Sequence, residues 1–86
     1  MDTKHITAVV TVARCGTFTY AAKELHLSQS ALSRQIIALE RELGVALFVR
    51  GGRSVKLTQQ GRAFLRNAGA VLEAVAAAEV AARRTL

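Results

Sequence analysis

The chain is predicted to be mainly α-helical, a winged helix-turn-helix with a two-stranded β wing and a long C-terminal helix. Three observations carry this. Residues 18–43 read as a short amphipathic helix, a tight turn and a longer helix. A Gly51-Gly52 pair then separates two short β-prone runs. Beyond Thr58, an apolar stripe continues at helical spacing to the end of the 86 residues.

The elements follow in order. Asp2 can cap a first helix in which Ile6, Val9, Val10 and Ala13 recur at i, i+3, i+4 and i+7, and Gly16 ends it. Thr17 can cap a second helix whose inner side is Phe18, Ala21, Ala22 and Leu25. The two alanines allow a neighbouring helix to cross closely. His26-Leu27 makes the turn. Ser28 can cap a third helix with a core stripe of Leu32, Ile36, Leu39 and Leu43, stopped by Gly44. Its other side carries Gln29, Ser30, Ser33, Arg34, Ile37 and Arg41. The runs 47–50 and 54–57 flank the Gly51-Gly52-Arg53 turn, and Arg50, Arg53 and Lys56 make this hairpin basic. Thr58 can cap a fourth helix, from Gln59 to about Thr85, about 40 Å long. The stripe of Phe64, Ala68, Val71, Leu72, Val75, Ala78 and Ala82 outreaches a core of this size, so its distal part calls for another chain or for a part of the protein outside these residues.

Composition narrows the function. The net charge of +6, from 12 Lys+Arg against 6 Asp+Glu, points to a polyanionic partner, nucleic acid before membrane. The basic residues are spread over the wing and the third helix and do not line one amphipathic face, which ranks a membrane surface last. A single cysteine, Cys15, cannot make an internal disulfide and reads as a small apolar residue. With His5 and His26 it lacks metal-ligand spacing, so no metal or other cofactor is expected. No nucleophile–base pair is legible, and the chain is read as non-enzymatic. No leader-like opening or apolar run of about 18 residues is present, which makes a cytoplasmic, nucleoid-associated protein the expectation.

Several motifs stand in order along the chain: Gly16-Thr17-Phe18-Thr19-x-Ala21-Ala22; Leu27-Ser28-Gln29-x-Ala31-Leu32-Ser33-Arg34-Gln35-Ile36; Leu39-Glu40-x-x-Leu43-Gly44; Leu47-Phe48-x-Arg50; and Leu57-Thr58-x-x-Gly61. Together they resemble the N-terminal DNA-binding domain of LysR-type transcriptional regulators. The resemblance implies sequence-specific binding of double-stranded DNA by a homodimer. Residues 1–58 would form the winged helix-turn-helix and 59–86 the linker and dimerisation helix. It also implies that an effector-binding domain follows in full-length members. That domain is absent here, so the chain is expected to be part of a longer protein, with no small-molecule effector site of its own. Ser30 and Ala46 stand where proline is common in the family, and Ile37 where a basic residue often stands.

The residues expected on DNA are Thr19, Tyr20, Ser28, Gln29, Ser30, Ser33, Arg34, Ile37, Arg50, Arg53 and Lys56. Gln can pair with adenine, and Arg with guanine or phosphate. Hydroxyls at the start of the second helix suit phosphate. Arg53, at the hairpin tip, suits a minor groove. Arg50 also suits a structural ion pair. Dimerisation is expected through Phe64, Ala68, Val71, Leu72, Val75, Ala78 and Ala82. Two alternatives stand beside this reading: a winged-helix regulator of the molybdate-responsive type, and an interaction module without DNA binding.

Overall fold

The computed structural model describes residues 1–52 and 54–85. The order is α1 (Thr3–Cys15), α2 (Phe18–Glu24), α3 (Gln29–Leu43), β1 (Phe48–Val49), β2 (Lys56–Leu57) and α4 (Gln59–Arg84). This is the mainly helical, winged architecture that the pattern predicts.

All four expected caps form. Asp2, Thr17, Ser28 and Thr58 each accept, through a side-chain oxygen, a backbone N–H of the first helical turn, from Lys4, Tyr20, Ala31 and Gly61 respectively. Each bond satisfies a donor that has no partner within its helix. Gly16 and Gly44 close α1 and α3 in the left-handed region, at φ 79° and 76°. The α2–α3 turn is closed differently. His26 takes φ 57°, and the N–H groups of His26 and Leu27 donate to the carbonyls of Lys23 and Ala22. That is a Schellman closure with histidine in the position glycine usually fills.

Helix α1 is the central element and contacts α2, α3 and α4. Val9, Val12, Ala21, Leu32, Ile36, Leu39, Leu47 and Phe48 form the core. Two details depart from the expected stripes. In α1 the buried residues are Ile6, Ala8, Val9, Thr11 and Val12, while Val10 and Ala13 are half-buried. A helix packed on three neighbours buries a broader arc than a single stripe predicts. Buried Thr11 satisfies its hydroxyl by donating to the Thr7 carbonyl at 2.7 Å. In α3, Leu43 is 39% exposed. It is in phase with Leu32 and Ile36, but the last turn runs past the core.

The wing pairs Phe48 with Leu57 and Val49 with Lys56, antiparallel. Its loop includes Gly51 and Gly52 at φ 102° and 81°, a region where a side chain would be strained. The Val55 N–H donates to the Gly16 carbonyl at 2.8 Å and ties the wing to the α1–α2 turn. Thr58 joins wing to helix, its hydroxyl donating to the Ala46 carbonyl at 2.7 Å and its N–H to Leu47 at 2.9 Å. Gly61 permits this approach, because a Cβ there would collide with the Leu47 carbonyl oxygen.

Helix α4 has 26 residues and spans about 39 Å. It sets the long axis of a molecule measuring 49 × 25 × 19 Å. Its first turns belong to the domain core: Gly61 and Ala68 are buried, and Phe64 and Leu65 pack against the cluster. Ala68, expected to face a partner chain, is only 3% exposed and is covered by the chain's own helices. Phe64 is half-buried for the same reason. From Glu73 to Thr85 every residue is exposed. Among the described residues, no helix is long and apolar enough to cross a membrane.

Candidate DNA interface

Three elements converge on one cleft. The starts of α2 and α3 and the wing line it, with Phe18, Thr19, Gln29, Ser33, Arg50 and Gly52 among the lining residues, around a volume of about 540 Å³. The convergence follows from the local folding just described. The caps at Thr17 and Ser28 start two helices side by side, and the Val55–Gly16 bond brings the wing against them.

The outer side of α3 is polar and mostly exposed. Gln29, Ser30, Arg34, Ile37 and Arg41 are exposed, and Ser33 is half-buried. They do not all face one place. Gln29, Ser30 and Ser33 border the cleft beside the wing. Arg34 opens onto a groove shared with Gln35 of its own helix and with Lys4 and His5 at the start of α1. Ile37 and Arg41 border a shallow depression with Val45 and Ala46 beyond the end of α3. Ser28 is committed to its cap, and its hydroxyl lies 3.2 Å from that of Ser30. Thr19 and Tyr20 are exposed on the first turn of α2, and Tyr20 is 63% exposed. Lys56 projects from β2, exposed. Arg53 lies outside the described residues.

Arg50 is held rather than free. Its guanidinium donates to Glu40 Oε1 at 2.8 Å and stands 5.3 Å over the centre of the Phe18 ring. Phe18 in turn meets Phe48 edge-on, with ring centres 6.2 Å apart. Glu40 is the residue that pattern reading left without a role. Its side chain is 13% exposed, and its Oε2 accepts the Leu47 N–H at 2.7 Å and the Phe48 N–H at 3.3 Å. One carboxylate thus ties α3, the entry to β1 and Arg50 together. The signal was present as an acidic residue next to Leu39 of the core stripe, seven positions before Leu-Phe-x-Arg. Lys4, beside Arg34, had no comparable signal, since only the packing of α1 on α3 places it there.

The electrostatics are one-sided. Among the described residues, the acidic side chains paired with arginines are Glu24, with Arg14, and Glu40, with Arg50. No acidic group pairs with Arg34, Arg41 or Lys56 among those residues, which leaves their charge available to a polyanion. Asp2 is committed to the cap of α1. The bond from the Lys4 N–H holds its carboxyl below the ordinary value of 3.8, against desolvation and with lesser help from the charges of Lys4, His5 and the N-terminus. Cys15 is a half-buried free thiol with its Sγ 4.0 Å from Glu24 Oε1. No group of three or more His, Cys, Asp or Glu among the described residues could hold a metal ion.

The family model of the bacterial regulatory helix-turn-helix proteins of the lysR family matches residues 3–62. The chain is 47% identical over 72 residues to an uncharacterized HTH-type transcriptional regulator in the ibpB-leuC intergenic region of Azotobacter vinelandii, covering 84% of this chain and 50% of that one. It is 45% identical over 84 residues to the Hca operon transcriptional activator HcaR of Escherichia coli K12, covering 98% of this chain and 28% of the activator. The chain therefore spans half or less of the length of these relatives. Among solved structures it is similar to the CbnR DNA-binding domain in complex with DNA, at a TM-score of 0.93 and 38% identity over 99% of this chain and 98% of that one. It is equally similar to the BenM DNA-binding domain on benA site 1 DNA, at a TM-score of 0.94 and 38% identity, with both chains fully covered at 100%. Motif order, wing geometry and whole-domain superposition agree: this chain belongs to the LysR family of bacterial helix-turn-helix regulators, as a DNA-binding domain of that family.

Proposed function

We propose that this domain binds double-stranded DNA sequence-specifically as a homodimer and serves transcriptional regulation. The observation that carries the reading is the convergence of the starts of α2 and α3 with the wing on one cleft, beside an outer side of α3 whose Arg34 and Arg41 have no acidic partner among the described residues. Gln29, Ser33 and Arg34 would read base edges or phosphate, with Ser30 beside them. Thr19, Tyr20 and Lys56 would hold phosphates, with Lys4 extending the contact at the start of α1. Ser28 and Arg50 act mainly by positioning, the first as the cap of α3 and the second through Glu40 and Phe18. The exposed distal half of α4 would pair two copies. The relatives are transcriptional regulators, which supports a non-enzymatic role and a cytoplasmic site of action.

Selection of duplexes from a random pool tests the reading. Enriched sequences should contain paired half-sites, as two-fold proteins require. If a dimer neutralises about six to ten phosphates, log K against log [salt] should slope at roughly −5 to −9. A pool without enrichment and a flat salt dependence would point to a protein partner instead.

A further inference from the structure

One residue on the outer side of α3 has no place among hydrogen-bonding contacts. Ile37 is 37% exposed, whereas Leu32, Ile36 and Leu39 of the same helix are fully buried. It lies about 140° around the helix from Leu32 at 100° per residue. It is also absent from the apolar residues packed against the core cluster. Its position along the axis is as telling as its angle. Eight residues beyond Gln29, it stands about 12 Å along the helix, between Ser33 and Arg41. It borders a shallow depression with Arg41, Val45 and Ala46, apart from the cleft that Gln29, Ser30 and Ser33 line, so a duplex meets it by following the polar side of α3 from that cleft toward Arg41.

An isoleucine can neither donate to nor accept from a base edge. The apolar group that base pairs present in the major groove is the C5 methyl of thymine, which cytosine and uracil lack. Seating that methyl against Ile37 removes both apolar surfaces from water, worth about fourfold in affinity per methylene-sized group. We propose that Ile37 is a specificity-determining residue that reads the 5-methyl group of a thymine. The proposal rests on the DNA-binding reading above and adds to it one base preference per half-site.

The test uses a duplex that the wild-type chain itself selects from a random pool. The duplex is resynthesised with uracil replacing each thymine in turn, which removes only the methyl. Binding is measured for the wild type, Ile37→Val and Ile37→Ala. Far-UV circular dichroism checks that the variants keep their helicity. One thymine in each half-site should cost the wild type about fourfold when replaced. Ile37→Val should keep most of that sensitivity, and Ile37→Ala should lose it while still binding the duplex. Indifference of the wild type to uracil at every position overturns the proposal and leaves the DNA reading standing. Equal sensitivity in Ile37→Ala also overturns it, because the methyl would then act through the shape of the duplex. A pool that yields no enriched sequence at all removes the DNA reading, and this proposal with it.

Discussion

The two halves of α4 are one continuous helix with opposite surroundings. In the first half, Gly61 and Ala68 are buried, and Phe64 and Leu65 lean on the core. In the second, Val75 and Val80 are 38% and 42% exposed, as is Val71 at the junction at 41%. Composition alone does not separate them, since both are rich in alanine and carry large apolar residues at helical spacing. What differs is whether the rest of the chain reaches them. Isolated helical segments of such length are marginal in water, and packing of an apolar face supplies most of a helix's stability. The proximal half is stabilised by its own domain, and the distal half leaves its apolar side exposed, the surface on which we propose that a second copy packs.

The largest effect should come from breaking that second copy's seat. Val71→Asp with Val75→Asp would place unpaired carboxylates within a helix pair, at a cost on the order of several kcal/mol. Sedimentation should then show monomers at micromolar concentration. The winged head should keep its own unfolding transition, because neither valine belongs to the core cluster. A double variant that remains dimeric at that concentration would show that the distal face is not the interface.

A smaller effect should separate the head from the distal helix through two glutamates. Glu40 accepts two backbone N–H groups and the Arg50 guanidinium at 13% exposure. Glu73 is exposed on α4. Glu40→Gln keeps the shape but removes the charge and turns one acceptor into a donor, so it should cost about 1–3 kcal/mol. Glu73→Gln should lie within about 0.5 kcal/mol of the wild type. Urea denaturation of both variants measures the difference. Equal midpoints would mean that the Glu40 tie does not stabilise the head.

The same contrast explains what could be read in advance. The four caps, the two glycine stops and the hairpin were legible because each is a local rule written in one or two residues, such as Thr58 before α4 or Gly44 after α3. The polar side of α3 was legible from periodicity and from the motif around Gln29 and Arg34. What periodicity could not supply was the reach of the core. Leu43 and Ala68 were both in phase with their stripes, yet one lies beyond the core and the other is covered by the chain's own helices. The same limit hid Lys4 beside Arg34 and the threefold role of Glu40, since both depend on which helices cross and where.

The smallest expected effect sits at the far edge of the head, at the cap of α1. Asp2 is exposed, and the Lys4 N–H is the main reason its carboxyl lies below the ordinary carboxylate value. A folded-state pKa lowered in this way adds stability that is fully present above the unfolded value. That stability is lost as pH falls through the folded value. Asparagine caps about as well as aspartate but does not titrate. Asp2→Asn therefore isolates the contribution of the charge, and the titration of every other carboxylate cancels in the comparison. The wild type should be slightly more stable near pH 6, and the gap should close between about pH 4 and pH 2. Urea midpoints of the two proteins across that range measure it, and added salt should shrink the gap at the upper end. Amide exchange should place the change in the first turn of α1 and leave the distal half of α4 unmoved. A gap that stays constant with pH would mean that Asp2 acts through its shape as a cap and not through its charge.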